Sequence, residues 1–204
     1  MSEDRPDVVA VGLTGGIGAG KSTALSLFKE QGALTLSADR IVHELYLQRG
    51  LSDRVARHFG RDVLNERGLI DRARLAELVR GNPQELRWLE ELTHPRVADR
   101  IRRSVRGAPR GAVVVAEVPL LFESGLNSLF DMIVTVEAGP ETRRRRSIHG
   151  FDAVQFSELE GLQASTERRM RHSHLVFHND GDMEALRVFV REAYARALAL
   201  LEGS

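Results

Sequence analysis

The chain has 204 residues, a formal net charge of zero and no cysteine. The length suggests one domain with room for an insertion, the balanced charge argues against nucleic-acid or membrane partners, and the missing cysteines exclude disulfides, thiolate metal sites and a thiol nucleophile. No apolar run approaches the ~18 residues of a membrane span, and residues 1–7 are polar and acidic, unlike a secretory signal, so we expect a cytoplasmic protein.

The first predicted element is a buried strand at residues 8–13, which leads into a glycine-rich loop and then a helix. Residues 15–22 fit the phosphate-loop pattern G-x-x-x-x-G-K-[ST]. In such a loop the glycines let backbone N–H groups point at an anion, Lys21 brings a positive charge to the terminal phosphates, and the Ser22 hydroxyl can ligate Mg²⁺. The predicted nucleotide-binding residues of this segment are Gly16, Ile17, Gly18, Ala19, Gly20, Lys21, Ser22 and Thr23.

The composition supports a special role for Lys21. Among the 29 basic residues only Lys21 and Lys29 are lysines, and all others are arginines. A compact ammonium group fits inside a phosphate loop, whereas the fork of a guanidinium group does not. The lysine at position 21 therefore favours a working phosphate loop over a glycine-rich turn without function.

Further strands are predicted at residues 33–36, 112–118, 132–136 and 175–177, with helical stretches between them. This alternation predicts an α/β fold with a parallel five-stranded sheet and helices on both faces. Asp39 follows the second strand, so a parallel sheet would bring it beside the phosphate loop, where a carboxylate could accept the proton of an acceptor hydroxyl. An N-cap for a helix at residues 40–48 explains Asp39 equally well.

Two helical segments interrupt the strand pattern of this single predicted domain. Residues 40–110 are predicted to form an acceptor-binding insertion at the carboxyl edge of the sheet, where open α/β sheets bind ligands. Its helix-start signals are Ser52, Asp71 and Asn82 followed by Pro83. Residues 143–172 are predicted to form an arginine-rich lid. The core then consists of residues 7–39, 111–142 and 173–204.

Charged residues flank this edge at two further places. Glu117 ends the apolar third strand next to the loop, where it could hold Mg²⁺ through water or pair with an arginine. Residues 143–146 are four consecutive arginines at the start of a helix. Because neighbouring residues on a helix point in different directions, at most one or two of these arginines can reach the loop.

Two classes of phosphate-loop protein compete at this point, signalling GTPases and small-molecule kinases. The chain has no Asn-Lys-x-Asp motif for guanine, and after the third strand residues 117–120 read Glu-Val-Pro-Leu where a GTPase has D-x-x-G. A kinase needs an acceptor pocket and a lid of arginines around the transferring phosphoryl group. The two insertions are candidates for both, so the sequence favours a kinase.

Residues 12–22 closely resemble the phosphate loop of the dephospho-CoA kinases, and the segments after it agree with that family in order and spacing. The matching segments are residues 38–42, 68–72, 92–95, 118–125, 141–146, Gln163 and residues 179–181. The phosphate loop is shared by many proteins, but its combination with the His-Pro and Pro-Leu-Leu segments is far more specific. The resemblance covers about residues 8–190.

The resemblance implies ATP-dependent phosphorylation of the ribose 3′-hydroxyl of 3′-dephospho-CoA, the last step of coenzyme A synthesis, with ATP and Mg²⁺ as cofactors. It implies that Asp39 is the general base and that Lys21 and Arg146 stabilise charge on the transferring phosphoryl group. Asn179 joins the nucleotide-binding residues, and Ser22 and Glu117 are the metal-binding candidates. The implied acceptor-binding residues are Asp39, Arg72, His94, Pro119 and Leu120. We expect a monomer acting on this small-molecule substrate.

Some positions depart from the family pattern or keep a second interpretation. Ser37 stands where an aspartate is common, Ser173 and His174 replace the usual Ala-Asp, and the segment after Arg146 is short. His94, with the proline that follows it, could instead form a hinge or cap between two helices. A related kinase for a nucleoside monophosphate or small alcohol is the alternative enzyme, and a nucleotide-dependent switch is the alternative without catalysis.

Overall fold

The computed structural model of the protein describes residues 7–147 and 153–202. Its strands are β1 (Val8–Gly15), β2 (Leu34–Ser37), β3 (Ala112–Glu117), β4 (Met132–Glu137) and β5 (Leu175–His178). Its α-helices are α1 (Lys21–Glu30), α2 (Ala38–Tyr46), α3 (Arg49–Phe59), α4 (Arg72–Val79), α5 (Pro83–Arg106), α6 (Pro140–Ser147), α7 (Ala153–Leu162), α8 (Thr166–Arg171) and α9 (Met183–Glu202). Short 3-10 helices cover Arg61–Val63 and Leu126–Leu129.

The strands form one parallel sheet in the order β2-β3-β1-β4-β5. β1 lies at the centre between β3 and β4, and nearly every residue of these three strands is buried. Strands buried on both faces need runs of apolar residues without polar alternation, which is what their valine-rich sequences supply. The predicted α/β fold with a parallel five-stranded sheet is confirmed.

An apolar core lies between this sheet and the helices α1 and α9. Its helical members include Phe28 from α1 and Leu186, Val190, Ala193 and Ala197 from α9, whose spacings of three and four residues put them on one helix face. Each large apolar side chain buried in this way stabilises the fold by about 1.5–3 kcal/mol. The core therefore holds β1 rigidly, and with it the loop that follows β1.

Residues Ala38–Arg100 form one compact unit, and the described residues before and after it form another. The predicted division into core, acceptor-binding insertion and lid stays a prediction. Residues 148–152 of the predicted lid, including the short segment after Arg146, and residues 1–6 lie outside the described residues. Within residues 7–147 and 153–202, no helix combines the length and the apolar character needed to cross a bilayer.

Two of the predicted helix starts in the Ala38–Arg100 unit are confirmed. The Asp71 carboxylate accepts from the first backbone N–H groups of α4 at 3.0 and 3.3 Å. The Asn82 side-chain oxygen does the same for α5 at 3.2 and 3.3 Å, and Pro83 is the first residue of that helix. Both arrangements satisfy backbone donors that have no partner within the helix.

The third predicted start, at Ser52, is wrong. α3 begins one turn earlier because the Gln48 carbonyl already accepts N–H bonds from Leu51 and Ser52, both at 3.0 Å. Ser52 is fully buried inside the helix, and its hydroxyl donates to the Tyr46 carbonyl at 3.3 Å. Its side chain therefore ties α3 to the end of α2 and does not cap a helix.

The alternative that His94 and Pro95 form a hinge or cap between two helices is also wrong, since both residues lie inside the continuous helix α5. Proline lacks an N–H group and removes one helical hydrogen bond. Side chains next to it bond to carbonyls of the preceding turn: the Thr93 hydroxyl donates to Leu89 at 2.8 Å, and Arg96 donates to Leu92 at 2.5 Å. The helix continues through the proline to Arg106.

Candidate active site

The phosphate loop joins the end of β1 at Gly15 to the start of α1 at Lys21. Gly15 has a φ of 145°, and an added Cβ atom there would lie 1.9 Å from the Val136 carbonyl oxygen. Gly20 has a φ of 102°, and its Cβ would lie 2.4 Å from the side-chain nitrogen of Asn179. Both positions therefore require glycine, because the loop packs directly on the end of β4 and on Asn179.

Lys21 bends back over the loop that precedes it. Its ammonium group donates to the carbonyl oxygens of Gly15 at 3.1 Å and Gly16 at 3.0 Å, and the side chain is 9% exposed. A flexible stem with a compact charge can make these bonds and can also turn toward an anion held by the loop. Lys21 thus has the position that the sequence pattern predicts.

Ser22 and Glu117 lie together at the carboxyl edge of the sheet. The Ser22 hydroxyl donates to a Glu117 carboxylate oxygen at 3.2 Å, and parallel pairing sets Glu117 opposite Leu13 of β1. Hard oxygen atoms of this kind fit Mg²⁺, which takes one or two protein ligands together with phosphate oxygens and water. In the described ranges no group of three or more His, Cys, Asp or Glu side chains could hold a metal by itself.

Two of the four consecutive arginines lie next to the loop, Arg146 through a hydrogen bond and Arg143 through its backbone, which would lie 2.5 Å from a Cβ atom added at Gly18. Arg143 is 6% exposed and bonds to the Ala138 carbonyl at 3.1 Å and to Glu160 at 2.6 Å. Arg146 donates to the carbonyl oxygens of Ala19 at 3.4 Å and Asn179 at 3.2 Å. Positions 143 and 146 share one helix face; Arg143 is buried, whereas Arg146 is exposed like the two arginines between them. This agrees with the expected limit of one or two.

Asn179, predicted to bind the nucleotide, packs against the loop from the end of β5. Its side-chain nitrogen donates to the Ala19 carbonyl at 2.8 Å, and its backbone N–H donates to the Glu137 carbonyl at 2.6 Å. The residue is 6% exposed. Asn179 therefore holds the last turn of the loop in place.

Gln163 lies between the phosphate loop and the segment after β3. Its side-chain oxygen accepts from the Ile17 N–H at 2.9 Å, and its nitrogen donates to the Gly15 carbonyl at 3.3 Å and the Pro119 carbonyl at 3.2 Å. Gln163 belongs to the family match, but its sequence context predicts no role for it in the site. The bonds span well over a hundred residues of sequence to the loop, so local spacing could not reveal them.

A buried ion pair that the sequence pattern does not predict lies behind the loop. Arg169 from α8 donates to both carboxylate oxygens of Glu137, at 2.5 and 3.0 Å, and the side chains are 4% and 2% exposed. An added Cβ at Gly16 would lie 3.2 Å from Glu137. The available signal was a carboxylate at the end of an apolar strand, the same signal that pointed to Glu117.

Pro119 and Leu120, predicted to bind the acceptor, directly follow this region of β3. Both are half-buried, and the neighbouring Val118 N–H donates to the Leu13 carbonyl at 2.9 Å. The Leu120 carbonyl accepts from the Ser124 hydroxyl at 2.6 Å, which closes a tight turn. The segment therefore has a defined backbone shape beside the loop.

The remaining predicted residues, Asp39, Arg72 and His94, belong to the Ala38–Arg100 unit. Asp39 is exposed in the first turn of α2, one position beyond the helix start, so the alternative that it is the N-cap is wrong. His43 lies four residues further along the same helix face. Arg72 donates to the His43 ring nitrogen at 3.4 Å. Asp39, His43 and Arg72 thus form a polar patch, while His94 lies half-buried on α5.

Tyr46 at the end of α2 gives this unit a measurable response to alkaline pH. Burial raises the pKa of Tyr46 to about 12, and the Arg72 guanidinium acts in the opposite direction. The folded state therefore favours the neutral phenol, so its contribution to stability is complete below pH 10 and is lost as the pH rises toward 12. We expect a loss of about 1 kcal/mol in the free energy of unfolding between about pH 9 and about pH 11.

Urea unfolding across this range should show the loss in the wild type and not in Y46F. Few other groups titrate there, because the chain has two tyrosines, no cysteine and only Lys21 and Lys29 as lysines. Y194F is the matched control and should keep the loss. An identical pH dependence in Y46F and the wild type would contradict the prediction.

The family departures at Ser173 and His174 are absorbed by the sheet. The Ser173 hydroxyl bonds to the Thr135 hydroxyl at 2.6 Å and donates to the Arg169 carbonyl at 2.7 Å. The His174 ring nitrogen accepts from the Ile133 N–H at 2.9 Å. Ser37 ends β2, opposite Glu117 of β3. Both replacements before β5 therefore support the strands that carry the loop.

Comparison with known proteins agrees with the sequence motifs. The family model described as dephospho-CoA kinase matches residues 9–185. A dephospho-CoA kinase from Streptomyces avermitilis is 38% identical over 192 residues, covering 92% of this chain and 93% of the relative.

Solved structures extend this agreement to the fold. A Thermus thermophilus crystal structure superposes with a TM-score of 0.77 at 29% identity and covers 92% of this chain and 97% of its own. A dephospho-CoA kinase from Campylobacter jejuni has the same fold, with a TM-score of 0.64 at 18% identity and coverage of 94% and 98%. The predicted resemblance is confirmed, and the chain belongs to the dephospho-CoA kinase family.

Proposed function

We propose that this protein transfers the terminal phosphoryl group of ATP to the ribose 3′-hydroxyl of 3′-dephospho-CoA, giving coenzyme A and ADP. The observation that carries the proposal is the phosphate loop in a chain of this family, with Lys21 folded over it and Ser22 bonded to Glu117. In the reaction a bond forms between the ribose 3′-oxygen and the γ-phosphorus of ATP. The bond between the γ-phosphorus and the oxygen that bridges it to the β-phosphate breaks. The hydroxyl proton goes to a carboxylate.

The loop binds the phosphates of ATP through backbone N–H groups and through the N-terminus of α1, whose dipole favours negative charge. Lys21 exchanges its bonds to the loop carbonyls for bonds to the terminal phosphates. Arg146, held beside Ala19, stabilises the charge that develops during transfer. Gly16, Ile17, Gly18, Gly20 and Thr23 complete the nucleotide site, with Asn179 supporting it from behind.

Asp39 is the proposed general base, because it follows β2 by two residues and is exposed. Arg72 is the proposed cation for the acceptor's phosphates, since it lies in the same polar patch as Asp39 through His43. His94 is a further proposed acceptor contact. Pro119 and Leu120 supply the apolar wall of the acceptor pocket.

Ser22 and Glu117 are the proposed protein ligands for Mg²⁺, directly or through water. When bound, the ion neutralises charge on the β- and γ-phosphates. The protein's own part is to hold the hydroxyl and the carboxylate at a fixed separation beside the loop.

The test is direct detection of coenzyme A and ADP by liquid chromatography and mass spectrometry after incubation with ATP, Mg²⁺ and 3′-dephospho-CoA. AMP, dTMP and gluconate serve as comparison acceptors. Preferred transfer to one of these would replace the proposed substrate with another. Binding of ATP without transfer to any acceptor would favour a nucleotide-dependent switch.

Within the arginine run we predict that R146A lowers kcat by about 10²-fold, because it removes the positive charge that stabilises the negatively charged phosphoryl group during transfer. R144A and R145A are matched controls, since both side chains are exposed as Arg146 is but do not lie on the helix face that positions 143 and 146 share, and they should stay within about twofold of the wild type. R143A should mainly lower the melting temperature, because Arg143 is buried and paired with Glu160. Steady-state kinetics and thermal melts of the four variants check this. A largest kcat loss at another position would contradict it.

A further inference from the structure

We propose that Gln163 is a positioning residue that holds the phosphate loop in its nucleotide-binding shape and ties it to the acceptor segment at Pro119. The inference rests on the proposed nucleotide role of the loop and extends it to a residue outside the phosphate-loop pattern. It does not depend on which acceptor the enzyme uses.

Gln163 orients the backbone of the phosphate loop. Its oxygen accepts from the Ile17 N–H at 2.9 Å, and its nitrogen donates to the Gly15 carbonyl at 3.3 Å. A single amide thereby fixes two peptide groups on either side of Gly16, using its acceptor and its donor at once. Gly16 itself permits many backbone conformations, so bonds from outside the loop must select one.

The Gly15 carbonyl accepts hydrogen bonds from two donors. Lys21 donates to it at 3.1 Å and Gln163 at 3.3 Å. In the proposed reaction the Lys21 ammonium moves to the phosphates of ATP. Gln163 then remains as a donor to this carbonyl, so the loop keeps its shape while the lysine changes partners.

Gln163 lies in the segment that joins α7 to α8, and the backbone of this segment is held in place. The next residue, Ala164, donates its N–H to the Glu123 carboxylate, and its carbonyl accepts from Arg169. Arg169 is in turn paired with Glu137 at the end of β4. A side chain can hold another group in place only if its own backbone is held, and this segment meets that condition.

The Gln163 side-chain nitrogen also donates to the Pro119 carbonyl at 3.2 Å. Pro119 begins the proposed wall of the acceptor pocket. One amide therefore connects the nucleotide loop and the acceptor segment, which must be aligned within a fraction of an ångström for in-line transfer.

The test compares Q163M with the wild type, because methionine keeps the length and volume of glutamine but cannot replace its hydrogen bonds. We expect affinity for ADP, measured by calorimetry, to fall about tenfold and kcat for the complete reaction to fall by a similar or larger factor. The KM for the acceptor should change less than these two. Q84M is the matched control, since Gln84 is exposed at the start of α5.

Q163E is the second variant, because glutamate is nearly isosteric and can still accept from Ile17 but cannot donate when ionised. We expect it to lose at least as much ADP affinity as Q163M. ADP affinity and kcat within twofold of the wild type in either folded variant would overturn the proposal.

Hydrogen exchange at the Ile17 amide of the wild type needs no variant. We expect protection both without nucleotide and with ADP bound, and exchange at the rate of an exposed amide in either state would overturn the proposal. ADP binding separates this inference from the proposed function. A wild type that binds ADP but does not phosphorylate 3′-dephospho-CoA would refute the acceptor and leave the role of Gln163 to the same measurements.

Discussion

Replacing Lys21 with alanine is expected to lower kcat at least about 10³-fold while leaving the fold intact. The ammonium group sits 3.1 and 3.0 Å from the carbonyls of Gly15 and Gly16, at the start of α1 where the loop N–H groups converge. Without it, the negative charge on the transferring phosphoryl group has no cation inside the loop. Arg146 approaches from the α6 side and cannot replace it.

The chain offers an unusually clean control for this experiment. Lys29 is the only other lysine, and it lies exposed in the last turn of the same helix. K29A should therefore leave kcat and the circular dichroism spectrum unchanged. If K21A is folded by circular dichroism and turns over at a rate close to that of K29A, the phosphate-loop assignment fails.

The sheet and the phosphate loop could be predicted because their signals are local. β1 and β3 are short valine-rich runs, and a strand buried on both faces is recognisable without knowledge of its neighbours. The loop is defined by glycines and Lys21 within eight positions of sequence. In both cases the residues that determine the structure adjoin one another along the chain.

Gln163 and Arg169 could not be predicted in the same way. Gln163 bonds to a loop that lies well over a hundred residues earlier, and Arg169 pairs with Glu137 across 32 residues. Nothing in the arginine-rich sequence of α8 distinguishes Arg169 from the arginines beside it until the fold buries it. Glu137 follows an apolar strand, as Glu117 does, but the apolar pattern predicts that β4 ends one residue before it.

The predicted helix boundaries are wrong where the folded structure overrides the local preference of a residue for a helix end. Ser52 is a good N-cap residue, yet the Gln48 carbonyl starts α3 one turn earlier. Proline normally ends or kinks a helix, yet Pro95 lies inside α5, which continues to Arg106. Helix propensity differs by less than about 1 kcal/mol among most residues and by about 3 kcal/mol for proline, and most helical stability in proteins comes from tertiary packing.

Replacing Asp39 with asparagine is expected to lower kcat about 10³-fold while leaving ATP binding unchanged and the fold intact. An amide has the size of the carboxylate but cannot accept the proton of the 3′-hydroxyl. Asp39 lies in the first turn of α2, which begins at Ala38, so asparagine removes only a favourable charge near the helix N-terminus and should cost at most about 1 kcal/mol of stability. The loss should appear in kcat, with little change in the KM for ATP.

The matched control for D39N is D53N, because Asp53 is an exposed aspartate on α3 in the same unit and has no proposed role. Urea unfolding and calorimetric titration with ATP establish that both variants are folded and bind nucleotide. If kcat of D39N then stays within about twofold of D53N, the proton goes elsewhere. In that case Arg72 and its patch bind the acceptor without a general base at this position, and transfer proceeds by positioning and charge stabilisation alone, which a loose phosphoryl-transfer transition state permits.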